Sequence, residues 1–169
     1  MRWIALWTAC LCLAACQAQA PSFPTSTPTF DVPSPTADAQ SAIWLEQPFG
    51  GGTLAIYFYS VGSRPCLRFL TDLPSAQPVS ACAQADVPAI VAQGVVQDAS
   101  GQPHTIIAVR ALRPEVSVVV IELRNGESYP LEIEESGALL ILPGALQAWR
   151  AVPIDSFGNI VGTLLRLSE

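Results

Sequence analysis

After Ser41 the chain consists of short apolar runs separated by turn-forming residues, and this pattern is the strongest constraint on its fold. No stretch keeps apolar residues at a 3.6-residue period for three turns, as an amphipathic helix requires. Short apolar runs bounded by Gly, Pro, Asn, Asp and Ser are typical of strands. The sequence therefore predicts an all-β fold: a single domain at 42–169 that forms an antiparallel β-sandwich.

Nine segments fit this pattern. The predicted strands are 53–60, 66–71, 90–97, 104–112, 116–124, 128–134, 138–142, 148–154 and 160–167. Two segments leave a second option open, because the alanine-rich residues 81–93 and residues 143–148 could each form one helical turn. Neither helical turn would change the fold class.

The clearest local signal is Asn125-Gly126, which lies between segments 116–124 and 128–134. Asn-Gly supplies the two positive-φ residues of a type I′ turn, so a two-residue hairpin is predicted. In the second strand Tyr129 and Leu131 alternate with polar residues and are expected to face the core. The first strand is apolar on both faces, which is expected of a central strand covered on each side.

The N-terminus carries one arginine, Arg2, followed by an apolar run at 3–15. This run is far shorter than the roughly 20 residues that span a bilayer, so it is interpreted as a signal peptide. It ends in Leu13-Ala14-Ala15-Cys16, which resembles the lipobox of bacterial lipoproteins. The resemblance implies cleavage before Cys16, a diacylglyceryl thioether on its sulfur and acylation of the new N-terminus, for example with palmitate.

A second cleavage site is possible after Ala20, where Ala18-Gln19-Ala20 matches an A-x-A pattern. Pro21 disfavours that site, because it lacks an N–H group and restricts the residue before it. The lipoprotein resemblance implies an anchor in the cell membrane or an outer membrane, with the domain exposed outside the cytoplasm. In a cell with two membranes, Gln17 favours the outer one, because it is not the acidic residue that retains some lipoproteins in the inner membrane.

Residues 16–41 are rich in Pro, Ser, Thr and Ala and contain few large apolar side chains. Such a composition cannot form a packed core and favours extended polyproline II at about 3.1 Å per residue. We therefore predict a disordered tether of at most roughly 75 Å that begins at the lipidated cysteine. Its hydroxyl groups could also accept glycans.

Five cysteines are present, and the lipoprotein resemblance accounts for three of them. Cys10 and Cys12 would leave with the signal peptide, and Cys16 would carry lipid. The two that remain, Cys66 and Cys82, lie in a domain expected to face an oxidising compartment. They are therefore predicted to form one structural disulfide.

The charges of the chain argue against nucleic acid as a partner. All eight cations are arginines, and they are scattered among fourteen acids for a net charge of −6. A phosphate-binding surface requires clustered cations, so no nucleic-acid partner is predicted.

Catalytic motifs are missing from the sequence, which contains no G-x-S-x-G, no H-E-x-x-H and no phosphate-binding glycine loop. The single histidine, His104, would have to serve any triad, with Asp98 or Asp86 as its carboxylate. Glu132 and Glu134 alternate along a strand, so solvation explains them without a calcium ion. No residue is assigned a catalytic, metal-binding or cofactor-binding role.

The aromatic residues indicate a possible binding surface for protein or glycan. Tyr57, Phe58 and Tyr59 are consecutive, so at least one must point away from the core. Four further aromatic residues are expected near loop ends: Trp44, Phe49, Trp149 and Phe157. An exposed aromatic patch of this kind is typical of binding surfaces, but packing in the core is expected for most of these residues.

From Val116 onward, the order of strand, Asn-Gly turn, amphipathic strand and Asp-x-x-Gly-Asn resembles immunoglobulin-like or transthyretin-like sandwich modules of exported bacterial proteins. These features predict an envelope lipoprotein with a non-catalytic binding or accessory domain. Two alternatives remain: an envelope hydrolase or transferase that uses His104, and a sensor or assembly factor for a membrane complex.

Overall fold

The computed structural model describes residues 41–74 and 76–167, which all belong to the compact unit Ser34–Glu169. The predicted signal peptide, Cys16 and the tether up to residue 40 lie outside the described residues. Within the described part, every regular element is a β-strand. None of these residues belongs to a helix that is long and apolar enough to cross a membrane.

Eleven strands occur in the described residues, and all their pairings are antiparallel, which confirms the predicted fold class. They are β1 (Ala42–Phe49), β2 (Gly52–Val61), β3 (Arg64–Thr71), β4 (Val79–Cys82), β5 (Ala89–Gln97), β6 (Pro103–Ala111), β7 (Val118–Leu123), β8 (Ser128–Glu132), β9 (Gly137–Pro143), β10 (Ala148–Ile154) and β11 (Leu165–Arg166). They form a first sheet β1-β2-β3-β4, a middle sheet β5-β6-β9 and a third sheet β11-β10-β7-β8.

Two hydrophobic cores lie on opposite faces of the middle sheet. In β6, Ile106 and Ala108 pack into the first core with residues of the first sheet, including Leu67. The intervening Ile107 packs into the second core, with residues of the third sheet such as Ile121. Successive side chains of a strand point to opposite faces, so the domain consists of three layers with two sandwich interfaces.

The strand that is covered on both faces is therefore β6, and the prediction that β7 has this role was wrong. In β6, every residue from Thr105 to Val109 is fully buried. In β7, Val119 and Ile121 are buried, whereas Val118 and Val120 are only half-buried on the outer face of the third sheet. One apolar face of β7 packs in the second core, and the other is part of the protein surface.

The Asn125-Gly126 hairpin forms between β7 and β8, but its turn is not type I′. The N–H of Gly126 donates to the carbonyl of Leu123, and the N–H of Leu123 donates to the carbonyl of Glu127. Within this turn, Gly126 alone has positive φ, at 91°. The loop therefore contains three residues, 124–126, and ends with glycine in the left-handed region. Tyr129 and Leu131 face the second core, as predicted.

The next connection, between β8 and β9, has two residues of positive φ that are not glycine: Glu135 at 47° and Ser136 at 72°. Gly137 follows them, where packing rather than turn geometry requires a glycine. A Cβ atom at Gly137 would lie 2.5 Å from the ring of Trp44 and 2.9 Å from Phe58. The glycine lets the middle sheet approach the aromatic residues of the first.

Two predictions about boundaries need correction. Residues 81–93 and 143–148 contain no helical turn: β4 ends at Cys82, β5 begins at Ala89, and the remaining residues between strands are irregular. The predicted strand 160–167 is reduced to the two residues of β11. Strands β1 and β4, which were not predicted, complete the first sheet.

The predicted disulfide is present. Cys66 of β3 and Cys82 of β4 are paired directly across the first sheet and are joined through their sulfur atoms. Because β4 has only four residues and lies at the edge of its sheet, the bridge fastens this short strand to β3.

Candidate functional site

The structure brings His104 together with one of its two candidate carboxylates. His104 Nε2 lies 3.1 Å from Asp98 Oδ2, and the imidazole meets Phe49 edge-to-face at 5.4 Å between ring centroids. Asp86 lies before the start of β5, whereas Asp98 follows its end. Since a strand rises about 3.3 Å per residue, β5 alone separates Asp86 from this pair by more than about 25 Å.

Asp98 organises the turn between β5 and β6. Its Oδ1 accepts hydrogen bonds from the hydroxyl and the N–H of Ser100 and from the N–H of Gln102, at 2.6–2.9 Å. The bond from the Ser100 hydroxyl, followed by that from Gln102, lowers the pKa of Asp98 from 3.8 to about 2. The carboxylate therefore stabilises the loop as an anion.

The hydrogen bonds of Asp98 and His104 differ from those that the hydrolase alternative requires. A Ser-His-Asp triad requires a hydroxyl that donates to the histidine while the carboxylate holds the other ring nitrogen. Here the Ser100 hydroxyl donates to Asp98. No hydroxyl of the described residues makes a hydrogen bond to His104. The pair has the contacts of a turn-stabilising interaction.

The pH dependence of unfolding tests the role of Asp98. Because its pKa in the folded protein is below 3.8, its stabilisation is complete above about pH 4 and is lost as the pH falls through about 2. We expect Asp98→Asn to lower the free energy of unfolding at neutral pH and to approach the wild type only below about pH 2. Urea unfolding at several pH values measures this. A constant difference across this range would contradict the assignment.

The predicted aromatic residues do not form one patch. Trp44 stacks on Phe58 with 5.4 Å between ring centroids, and Phe49 is buried, so these rings belong to the first core. The guanidinium group of Arg110 in β6 lies over the Phe58 ring, 4.8 Å from its centroid. Trp149 and Phe157 are exposed, but Trp149 lies near the start of β10 and Phe157 lies in the turn after its end.

The candidate calcium ligands are solvated. Glu132 and Glu134 are both exposed. In residues 41–74 and 76–167, no group of three His, Cys, Asp or Glu side chains is placed to hold a metal ion.

A groove of about 700 Å³ runs along one side of the domain. Strands β4, β5 and β11 each stand at one end of their sheet, and all three line the groove. Its lining residues are Val79, Ser80, Ala81, Cys82, Ala83, Gln84, Ala85, Val87, Ala89, Ile90, Val91, Ala92, Gln93, Thr163, Leu164, Leu165, Arg166 and Leu167. One open edge of every layer thus meets at this side of the domain.

The hydrogen bonds at both ends of β5 show which of its backbone groups face the groove. The N–H of Leu112 donates to the carbonyl of Pro88, and the N–H of Asp98 donates to the carbonyl of Gln102. The register between these points is continuous, so even-numbered residues of β5 bond to β6. The odd-numbered residues from Ala89 to Gln93 direct their N–H and C=O groups into the groove.

The two flanking edge strands, β4 and β11, also have backbone groups that point away from their neighbours. The N–H of Ala83 donates to the carbonyl of Pro65, so the backbone groups of Ser80 and Cys82 point away from β3. The N–H of Leu167 donates to the carbonyl of Trp149, so the backbone groups of Arg166 point away from β10. The groove is therefore bordered by open strand edges.

No protein-family model, curated protein or solved structure matches the chain.

The groove was not predicted, although part of its signal is present in the sequence. Five of its described lining residues are alanines, and they cluster in the segment 81–93, for which a helical turn had been an option. In the structure these small side chains leave space beside β5 instead. The side-chain carbonyl of Gln93 accepts a hydrogen bond from the N–H of Ala148, which connects β5 to the third sheet.

Proposed function

We propose that the protein is a membrane-anchored envelope lipoprotein whose β-domain is a non-catalytic binding module, with the groove as its binding site. The anchor is the lipid on Cys16, and residues 17–41 are the tether that lets the domain search for its partner. The partner is a protein of the cell envelope. The domain is exposed outside the cytoplasm.

The observation that carries the proposed binding role is the meeting of three open strand edges at one groove. Open edges promote unwanted pairing, and proteins usually protect them with charges, prolines, bulges or a covering segment. From Ala89 to Gln93, β5 contains no charged residue, no proline and no register shift. An unprotected edge is expected where a partner occupies it.

The support for the anchor is the sequence Leu13-Ala14-Ala15-Cys16 at the end of an apolar run. Two or three acyl chains give stable membrane attachment, because each buried methylene contributes about 0.8 kcal/mol. A tether of up to roughly 75 Å lets the domain reach partners that stand well above the lipid surface.

A single experiment in the producing cell tests the anchor and the binding site. We expect the full-length protein with a photo-crosslinking residue in place of Thr163, which is exposed and lines the groove, to form discrete adducts in the membrane fraction. The adducts should disappear when Ala85→Trp fills the groove. With Cys16→Ser, the protein should leave the membrane fraction.

The matched control places the crosslinker at Glu132, which is exposed on the outer face of the third sheet. Adducts of equal amount and size from Thr163 and Glu132 would show that the groove is not the preferred contact. Membrane association that is unchanged in the Cys16→Ser protein would refute the lipid anchor.

A further inference from the structure

We infer that the groove binds an extended segment of another polypeptide as an added strand on β5. This inference rests on the proposed function and names the chemical class of its partner. Strand addition to a sheet edge is a general mode of peptide recognition, in which backbone hydrogen bonds provide affinity and alternate side chains provide specificity.

The backbone of β5 defines the shape of the ligand. Ala89, Val91 and Gln93 direct N–H and C=O groups into the groove at every second residue, which places them about 6.6 Å apart. Another β-strand repeats its own donors and acceptors at this spacing. A segment of five residues, about 17 Å long, would span this edge.

The walls of the groove define the side chains of the ligand. An added strand directs alternate side chains toward the first and third sheets. On the first side they meet Val79 and Ala81, which are partly buried against the first core. On the other side they meet Leu165 and Leu167, which pack against the second core. The bound segment is therefore apolar on both faces.

The charge of the groove lining limits which charges the bound segment can carry. Among the described residues that line the groove, Arg166 is the only charged one, although the whole chain has a net charge of −6. Arg166 lies on the exposed edge strand β11. A segment whose single charge is a carboxylate at the end next to Arg166 fits this lining best.

The tether of the same chain is a poor occupant. Prolines occur at 21, 24, 28, 33 and 35, so no more than four residues in this region lie between consecutive prolines, and proline cannot donate to a ladder. Residues 36–40 lack proline but join β1, which stands at the opposite end of the first sheet from β4. Three strand spacings, about 14 Å, separate these two edges, so five residues with a span of about 17 Å cannot both cross this distance and lie along β5.

A second copy of the domain is also a poor occupant. Direct pairing of two β5 strands would require their backbones to approach to about 4.8 Å. In each copy β5 lies between β4 and β11, which form the sides of the groove. Pairing of two copies would therefore bring four further folded strands to this contact, whereas a free segment brings a single strand, and we infer that the occupant is a segment of a different protein.

Peptides selected from a display library of random 12-residue sequences, with the full-length lipidated protein in detergent as bait, provide the probe. Each residue of a selected peptide is then N-methylated in turn. Because an added strand pairs with β5 on one side only, we expect methylation at alternate residues to weaken binding at least about 10-fold. Methylation at the intervening residues should change affinity less than about 3-fold.

Proline substitutions in β5 provide the matched protein variants. Val91→Pro removes an N–H that faces the groove without removing a bond to β6, and at least about 10-fold weaker binding is expected. Val95→Pro has the same orientation in the ladder but lies outside the groove lining, so binding should change less than about 3-fold. Val91→Ala, which keeps the N–H, controls for the lost side chain.

The outcomes separate this inference from the proposed function. If Ala85→Trp abolishes binding but no alternation appears in the methylation series, the groove binds side chains and strand addition is wrong. If Ala85→Trp and Val91→Pro both bind like the wild type, the groove is not the site and both proposals fail. Selection that yields only peptides weaker than about 1 mM also overturns strand addition.

A second copy of the domain or the tether, as occupant of the groove, would give different results. A dimer of the purified protein that dissociates only with Val91→Pro would identify a second copy. Peptide binding that requires deletion of residues 22–40 would identify the tether. Either result overturns the inference that the strand comes from another protein.

Discussion

Replacing Ile107 with alanine is expected to lower the free energy of unfolding by about 2–5 kcal/mol. Ile107 is fully buried in the second core, where it contacts residues of the third sheet from its position in the middle sheet. Ile106 occupies the opposite face of the same strand in the first core, so Ile106→Ala should have an effect of similar size. Urea unfolding monitored by circular dichroism measures both.

The matched control for the Ile107 variant is Val120→Ala. Val120 lies in β7, which the sequence alone had placed at the centre of the fold, but its side chain is half-buried on the outer face of the third sheet. Its replacement should change the free energy of unfolding by less than about 1 kcal/mol. Equal effects for Val120→Ala and Ile107→Ala would mean that the outer face is covered, which would contradict the three-layer arrangement.

The sequence contained enough information for the fold class and for most strands. Segments such as 148–154 combine apolar alternation with clear turn residues at their ends, and β10 coincides with its prediction. The sequence contained less information about β1 and β4. Strand β1 includes Glu46, Gln47 and Pro48 at a sheet edge, and β4 has only four residues with small side chains, so neither has a strong apolar pattern.

The order of layers could not be read from single strands. Both β6 and β7 have apolar residues on two faces, because one is covered by two sheets and the other presents Val118 and Val120 at the surface. An apolar residue in the sequence indicates that its side chain favours burial. The sequence pattern does not show which neighbour covers that side chain, because this depends on contacts between residues far apart in the chain.

The disulfide could be predicted from the number of cysteines, whereas the groove could not be predicted from the sequence. Cys66 and Cys82 were the only pair left once three N-terminal cysteines were assigned to the signal peptide and lipid anchor. The groove depends on the lateral alignment of β4, β5 and β11, which belong to three different sheets. Small residues indicated space in this region but not its location. The lipid anchor stays a prediction, because Cys16 lies outside the described residues.

The double substitution Cys66→Ser, Cys82→Ser is expected to lower the free energy of unfolding by about 3 kcal/mol. The bridge closes a loop with a sequence separation of 16, and opening it increases the conformational entropy of the unfolded chain. For a domain of this size, the melting temperature should fall by about 10 °C. Thermal unfolding of the oxidised wild type, the reduced wild type and the double variant measures this. The reduced wild type should match the variant.

Loss of the disulfide should also loosen the groove before the two cores unfold. Strand β4 is held by four residues of ladder with β3 and forms one side of the groove, whereas β6 is bonded on both sides. Amide hydrogen exchange in the double variant should therefore accelerate at Ala81 and Ala83, with little change at Ile107. Uniform acceleration would show that the disulfide supports the whole domain, and an unchanged melting temperature would mean that it contributes nothing to stability.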